Sequence, residues 1–308
     1  MTRRIFAALV AASALICAQA DAADLRISVW KLPFNVPVMM EMADGLYETS
    51  FPGFNVSAVN LQTGPKQMAA LAAGDLDIVQ GIGDAAFLVS AAGGIDARII
   101  AVNSRSPRAF AVVARGPEIE GISGLKGKSV AGLRGSVVHQ VFVSALAEAG
   151  MKESDVEFFP MPVAQAASTL LAGRADAALL VGSEIQRAVN AGCVVIADGL
   201  GRVDGLSLVV ASSKFIDEHP EAVRDFLALR SGTLEKLKAD PAGTVEIAAR
   251  ETGLERSEAE SMMGWYDFGS EIRESDRKSL LSTLKYLLDN ELVKDEIDVG
   301  PLIYEAGG

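Results

Sequence analysis

The strongest constraint on how this chain folds is a stretch that it uses twice. Residues 68–86 read MAALAAGDLDIVQGIGDAA and residues 167–185 read ASTLLAGRADAALLVGSEI. Laid over one another, Leu71 meets Leu170, Gly74 meets Gly173, Asp77 meets Asp176 and Gly83 meets Gly182. In the first copy, residues 68–73 are helix formers and Gly74 is a left-handed helix stop. Residues 76–82 form a short apolar run of the kind that makes a buried strand. Gly81 and Gly83 open the backbone at its carboxyl end, and Asp84 stands where an N-cap would start the next helix. The second copy follows the same order. Helix–Gly–strand is common in α/β proteins, but two copies in register predict two lobes of similar build. Ligands of open α/β sheets sit outside the carboxyl ends of the strands. Two such edges facing each other would place a binding site between the lobes.

The 308 residues are enough for two domains with sizeable cores. The net charge of −12 excludes a general nucleic-acid binder, whose phosphate contacts need cations. It leaves room for an anionic ligand in a locally positive cleft. Residues 1–22 read as a signal peptide. Arg3 and Arg4 are followed by an apolar run over 5–17, and small-x-small sites end at Ala20 and Ala22. The run is too short for a comfortable membrane span. Ile16, before Cys17, is not the small residue of a lipoprotein box, so the expected product is a soluble periplasmic protein. Its one remaining cysteine, Cys193, can form no internal disulfide and is expected to be a small buried hydrophobe.

In chain order, strands are expected near 25–30, 54–61, 76–82 and 97–102, with helices at 38–47 and 85–92. A strand at 110–114 crosses into a second lobe with strands at 129–133, 156–161, 179–181 and 194–197 and a helix at 137–149. The return crossing is 206–211. Five helices follow, at 214–219, 220–239, 241–252, 256–264 and 275–290, and should pack back on the first lobe. The expected division is 23–110 with 210–308 as lobe one and 111–209 as lobe two. The fold class is α/β, each lobe a mostly parallel sheet flanked by helices.

Four segments then carry a resemblance: Gly64…Met68-x-x-Leu71-x-x-Gly74-x-Leu76-Asp77-Ile78; Gly124-Leu125-Lys126-Gly127-Lys128 with Gly135-Ser136-x-x-His139; Leu171-x-Gly173-x-x-Asp176-Ala177; and the run 215–221, FIDEHPE, before a long helix. In this order and spacing they resemble the nitrate/sulfonate/taurine group of bacterial solute-binding proteins. The similarity covers nearly the whole chain after the leader. It implies a two-lobed, hinged periplasmic binding protein fold of type II. It also implies no enzymatic activity and no cofactor, with permease and ATPase subunits of an ABC transporter as partners, and a monomer. Where many relatives carry an aromatic-acid-Pro segment, this chain has Gly182-Ser183-Glu184-Ile185, so the ligand-selecting side chains do not carry over. Leu206 falls near where taurine-type relatives place an acid.

The candidate ligand contacts cluster at the predicted strand ends. Gly135, Ser136 and Val137 open a helix whose free N–H groups and dipole favour an anion, the alternative being an ordinary cap. His139, in the same turn, is a donor to an anion or a packing residue. Gly83 with Asp84, and Gly182 with Ser183 and Glu184, are the matched edges. Asp84 also suits a helix cap. Glu184 is favourable at a helix start in its own right and, facing a cleft, suits an N–H or cationic end of a ligand. Trp30 offers a flat wall, and Lys31 and Asn35 polar contacts. Arg105 and Arg108 follow a strand end and suit either an acid group or a hinge surface. The cluster 265–268, WYDF, is expected to dock the C-terminal helices. No Gly-x-Ser-x-Gly, His-Glu-x-x-His or Cys-x-x-Cys motif occurs, and no metal-binding cluster is visible. A solute-binding protein is the reading preferred over a ligand-sensing module for a membrane receptor and over a pyrimidine-precursor synthase-like enzyme on the same fold. Sulfonates, nitrate-like anions, carboxylates and pyrimidines all remain open as ligands.

Overall fold

The computed structural model describes residues 22–61 and 63–305. The signal-peptide reading of residues 1–21 lies outside the described residues. Among the described residues two five-stranded sheets carry the fold. The first takes β1 (Ala23–Val29), β2 (Phe54–Asn60), β3 (Ile78–Gly83) and β4 (Ala97–Arg105), with β10 (Leu206–Ser212) inserted, in the order β2-β1-β3-β10-β4. The second takes β5 (Phe110–Ala114), β6 (Ser129–Gly132), β7 (Glu157–Pro160), β8 (Ala177–Val181) and β9 (Val194–Asp198), in the order β7-β6-β8-β5-β9.

β1 pairs in parallel with β2 and with β3, and β6 with β7 and with β8. β10 runs antiparallel to β3 and β4, and β5 antiparallel to β8 and β9. Each sheet therefore contains one reversed strand, and in each case it is the strand arriving from the other sheet's portion of the chain. These are the two crossings expected at 110–114 and 206–211.

The first sheet is covered on both faces. Along β10, Leu208 and Val210 join the apolar layer under α3 (Gly64–Ala73), α4 (Asp84–Ala92) and α12 (Glu274–Asp289). Val209 and Ala211 point the other way, with Leu25, Ile27 and Phe51, toward α2 (Leu46–Ser50), α8 (Ser213–Glu218) and α9 (Pro220–Ala239). The alternation is the period-two signature of a strand buried on both sides. The second sheet is covered likewise. α5 (Val137–Glu148) lays Val138, Phe142 and Leu146 on Val112, Val130 and Leu179. α6 (Val163–Leu171) and α7 (Ser183–Asn190) cover Val113, Ala131 and Leu180. Cys193 is buried and unpaired in that second layer, as expected.

The repeat is real at its helix stops and strand starts. Gly74 and Gly173 are both left-handed, at φ +78° and +69°. Asp77 accepts the N–H of Arg26 at 2.8 Å, and Asp176 accepts that of Ser129 at 3.0 Å, so each carboxylate ties its strand to the first parallel strand of its sheet. The copies diverge at the last glycine: Gly83 is extended at φ −68°, whereas Gly182 is at +56°.

The expected single helix at 38–47 is instead two, α1 (Val36–Ala43) and α2. Gly45, left-handed at φ +60°, breaks the helical path between them. α10 (Pro241–Thr252) and α11 (Arg256–Met263) complete the C-terminal helices, with α10 against α1 and α12 against α4. Among the described residues no helix is long and apolar enough to cross a membrane.

Candidate functional site

The carboxyl ends of the second sheet abut the first half of the molecule. Val137, the first residue of α5, is buried in the apolar cluster that also holds Ile82, Ala85 and Leu206. Ile82 and Ala85 flank Gly83 and Asp84, so one matched edge lies close to the start of α5. Gly135 is left-handed at φ +76°, and a Cβ there would sit 3.1 Å from Leu292. Ser136 is the N-cap of α5. Its hydroxyl donates to the Leu133 carbonyl at 2.7 Å and accepts the N–H of His139 at 3.4 Å. The helix start proposed for an anion is thus capped by its own serine and faced by an apolar side chain.

His139 is buried with both ring nitrogens engaged. Nε2 lies 2.6 Å from the Glu153 carboxylate, which only accepts, so Nε2 carries the proton. Nδ1 then accepts from the Tyr286 hydroxyl on α12. Burial holds the imidazole below its ordinary pKa, with Glu153 pulling the other way. Of the two roles expected for His139, the geometry matches packing: it fastens α5 to α12, because a buried ring must satisfy both nitrogens.

On the first rim, Trp30 directly follows β1 and is half-buried, and its carbonyl accepts from Asn35 Nδ2 at 2.8 Å. Asn35 is fully buried, with its Oδ1 accepting from Asn103 at 2.7 Å. It packs under Gly81, where a Cβ would come within 2.5 Å of Asn35 Oδ1 and where φ is +85°. Asn35 therefore braces the rim from below and is not exposed on it. Lys31 reaches Glu251 on α10 at 2.7 Å and holds that carboxyl below the usual range. Gly83, not Asp84, is the N-cap of α4, and the space a Gly83 Cβ would enter is open. Asp84 is one residue inside the helix, buried. It accepts the Ala85 N–H at 2.8 Å and the Thr283 hydroxyl at 2.9 Å. Burial outweighs those bonds and pushes it up to about 6.

Beneath this rim lies a polar network that sequence reasoning missed. Arg230 on α9 donates to Glu41 on α1 at 2.7 and 3.2 Å, to Asn103 at 2.9 Å, and to Gln80. Tyr47 donates to Glu41 at 2.7 Å and accepts from Gln80 at 3.0 Å. Arg230 is 1 % and Glu41 0 % exposed. Through Asn103 and Asn35 the network reaches the Trp30 carbonyl, joining β3, β4 and the end of β1 to the three helices α1, α2 and α9. The available signal was Glu41 alone within an apolar helical run, a charge that needs a partner if buried.

On the second rim, Gly182 is the N-cap of α7, and its N–H donates to Ala109 in the hinge at 2.9 Å. No side chain caps α7. Ser183 is half-buried, and the Glu184 carboxylate turns along the helix to Arg187 at 2.9 Å. Facing Gly182 are Tyr266 and Met262. A Cβ on Gly182 would lie 3.8 Å from the Tyr266 hydroxyl. Tyr266 is buried, stacked on Phe268 with ring centroids 5.7 Å apart, and its hydroxyl has no hydrogen-bond partner. Its neighbour Trp265 packs against the cluster containing Ile185 and Ala188. The 265–268 cluster docks as expected, and it docks onto both halves. Arg105 is no ligand arginine: it grips Asp276 on α12 at 2.7 and 2.6 Å. Arg108 is exposed beside the hinge. Among the described residues no group of three or more His, Cys, Asp or Glu is placed to hold a metal ion.

Comparison with known proteins places this architecture. Residues 64–244, more than half of the chain, match the family model described as NMT1/THI5 like. A protein of Escherichia coli (strain K12) named as an aliphatic sulfonates-binding protein is 25% identical over 241 residues, covering 78% of this chain and 75% of that one. One of the same name from Bacillus subtilis (strain 168) is 27% identical over 271 residues, covering 85% and 74%. The crystal structure of the periplasmic aliphatic sulphonate binding protein SsuA from Escherichia coli superposes with a TM-score of 0.82 at 22% identity, covering 91% of this chain and 97% of that one. The fold alone does not separate binding from catalysis, since the desulfurization enzyme DSZB shares it with a TM-score of 0.72 at 14% identity, covering 91% and 96%.

Proposed function

Starting from the fact that this chain belongs to the NMT1/THI5-like family, we propose that it is the solute-binding protein of an ABC importer, closing two lobes on a small organic anion of the sulfonate class. The lobes are residues 23–110 with 210–308, and 111–209, hinged where β5 and β10 cross. The observation that carries the reading is the placement of helix starts. α5 and α7 both begin at carboxyl ends of the second sheet and both point at the first half, with Gly135 against Leu292 and Gly182 against Tyr266. That is where partial positive charge from backbone N–H groups collects. The names of the relatives, two of which specify aliphatic sulfonates, support the ligand class. The leader-like first 22 residues and the periplasmic relative support export to the periplasm. Ligand binding shifts the open–closed equilibrium, and the closed form is what a permease with its ATPase would accept.

The test is a thermal-shift and titration screen of the purified protein against alkanesulfonates, taurine, nitrate, aromatic carboxylates and pyrimidines. A ligand at about 100 times its Kd stabilises the fold by about 2.7 kcal/mol. A response to alkanesulfonates is expected. Stabilisation by pyrimidines alone, after stripping by unfolding and refolding, would reject the sulfonate assignment.

A further inference from the structure

The two helix starts on the second half differ in how far their N–H groups are already satisfied. At α5, Ser136 caps its own helix and Leu292 closes over Gly135. At α7, no side chain provides a cap, and Gly182 adopts a left-handed φ of +56° that leaves the turn bare of a Cβ. The group aimed at this bare turn is the Tyr266 hydroxyl, buried and without a hydrogen-bond partner. A buried hydroxyl left unpaired is costly, so native structures rarely keep one without a use.

Its position is held from three directions. Tyr266 stacks on Phe268. Asp267, the next residue, exchanges backbone hydrogen bonds with Arg105 at the end of β4, both at 2.9 Å. Trp265, the residue before, packs on the α7 layer. A side chain so fixed holds its hydroxyl against the start of α7, where the donor has no protein partner.

We propose that the acid group of the ligand is held at the start of α7, by the N–H groups of Ser183 and Glu184, the Ser183 hydroxyl and the Tyr266 hydroxyl. This rests on the solute-binding reading above and names its head-group subsite. All four contacts are neutral donors, so the site selects for acceptor oxygens and not for charge pairing alone. A sulfonate presents three acceptor oxygens in a pyramid to these donors, where a carboxylate presents two in a plane. The acid in the same turn, Glu184, lies 2.9 Å from Arg187 through an Oε2 that is buried and makes no hydrogen bond.

The experiment compares wild type, Tyr266→Phe and Ser183→Ala by calorimetric titration with hexanesulfonate and hexanoate, and by thermal unfolding without ligand. Tyr266→Phe is expected to weaken hexanesulfonate binding about tenfold and to leave the ligand-free midpoint unchanged or higher. Ser183→Ala is expected to weaken binding as well. Unchanged affinity in Tyr266→Phe, with wild type binding normally, overturns the assignment of Tyr266 and spares the solute-binding reading. A ligand-free midpoint several degrees lower in Tyr266→Phe also overturns it, because the hydroxyl then has a partner within the protein. A wild type that binds neither compound overturns this subsite and the sulfonate reading together.

Discussion

Asp77 and Asp176 perform the same task in the two halves of the molecule. Each accepts the N–H of a residue on the neighbouring parallel strand, Arg26 at 2.8 Å and Ser129 at 3.0 Å, and each returns its own N–H to that residue's carbonyl, at 2.9 and 3.0 Å. Replacing either by Ala removes a charged acceptor from a strand junction, at about 1.5–3 kcal/mol by chemical denaturation. Their pH dependences should oppose. Hydrogen bonding from Ser129 lowers the Asp176 pKa, so its contribution is present above the unfolded value near 3.8 and lost as pH falls through the folded value. Burial raises Asp77, whose contribution is full below 3.8 and lost as pH rises through its folded pKa. The two alanine variants, compared from pH 2 to 7, should diverge in these directions.

Arg230 and Glu41 are fully buried and face each other. Arg230→Met leaves the Glu41 charge without its partner and should destabilise the fold by about 3–5 kcal/mol. Adding Glu41→Gln should recover much of the loss, since removing both charges is far milder than removing one. Denaturant midpoints of the two single variants and the double variant check this. A double variant no better than Arg230→Met would mean that the wider network, not the ion pair, dominates.

Asp84 sets a different pH window. Its carboxyl is pushed up to about 6 from 3.8, so the folded state binds a proton that the unfolded state has released. Stability from this group is full below about pH 4 and is lost as pH rises through 6, up to about 3 kcal/mol at 1.36 kcal/mol per pKa unit. Asp84→Asn keeps an acceptor for the Ala85 N–H and a donor for the Thr283 hydroxyl. It should be more stable than wild type at pH 7–8, and the two should converge at pH 4.

His139 responds to acid in the opposite sense. Its folded pKa is depressed by burial, so its contribution is present above the unfolded value near 6.5 and fades as pH falls through the folded value. Protonation puts a hydrogen on Nδ1, which then donates to the Tyr286 hydroxyl oxygen instead of accepting from it. Tyr286→Phe should cost about 1 kcal/mol at pH 7.5, by thermal unfolding. No loss at that pH would mean that the hydroxyl does not bond to the imidazole.

The fold was legible wherever the governing signal was local. Pro220 and Pro241 each occupy a first helical turn, and both helices were bounded to the residue from the sequence. The two crossing strands lie where continuous apolar runs at 110–114 and 206–211 place them. The break at Gly45 was missed because the residues on both sides are good helix formers. The site was less legible. The partners that engage His139, Asn35 and Asp84 are Tyr286, Asn103 and Thr283, each far away in sequence. Residue type told that these side chains need partners. Only the packing told whether protein or solute supplies them. Tyr266 shows the same limit from the other side: an apolar cluster predicts docking, and the one orphaned oxygen within it has no signature in the chain.

A final prediction concerns Gly81. At φ +85°, with Asn35 Oδ1 2.5 Å from where a Cβ would stand, Gly81→Ala must both strain the backbone and displace the rim brace. A loss of about 2–4 kcal/mol is expected, above what either effect causes alone. Thermal unfolding and sulfonate titration of the same variant should both register it, as Asn35 supports the loop after Trp30.

The position of β10 also governs when the molecule can fold. β4 ends at residue 105, and the strand that fills the sheet between it and β3 begins at 206. A chain delivered from its N-terminus, by a ribosome or through a membrane pore, presents β1 to β4 long before that centre strand exists. The strands of the second sheet, β5 to β9, arrive as one uninterrupted run. The middle of the chain is therefore free to complete itself first, while the beginning stays open-edged until the return crossing is delivered. In order of assembly, the half encoded first is finished last.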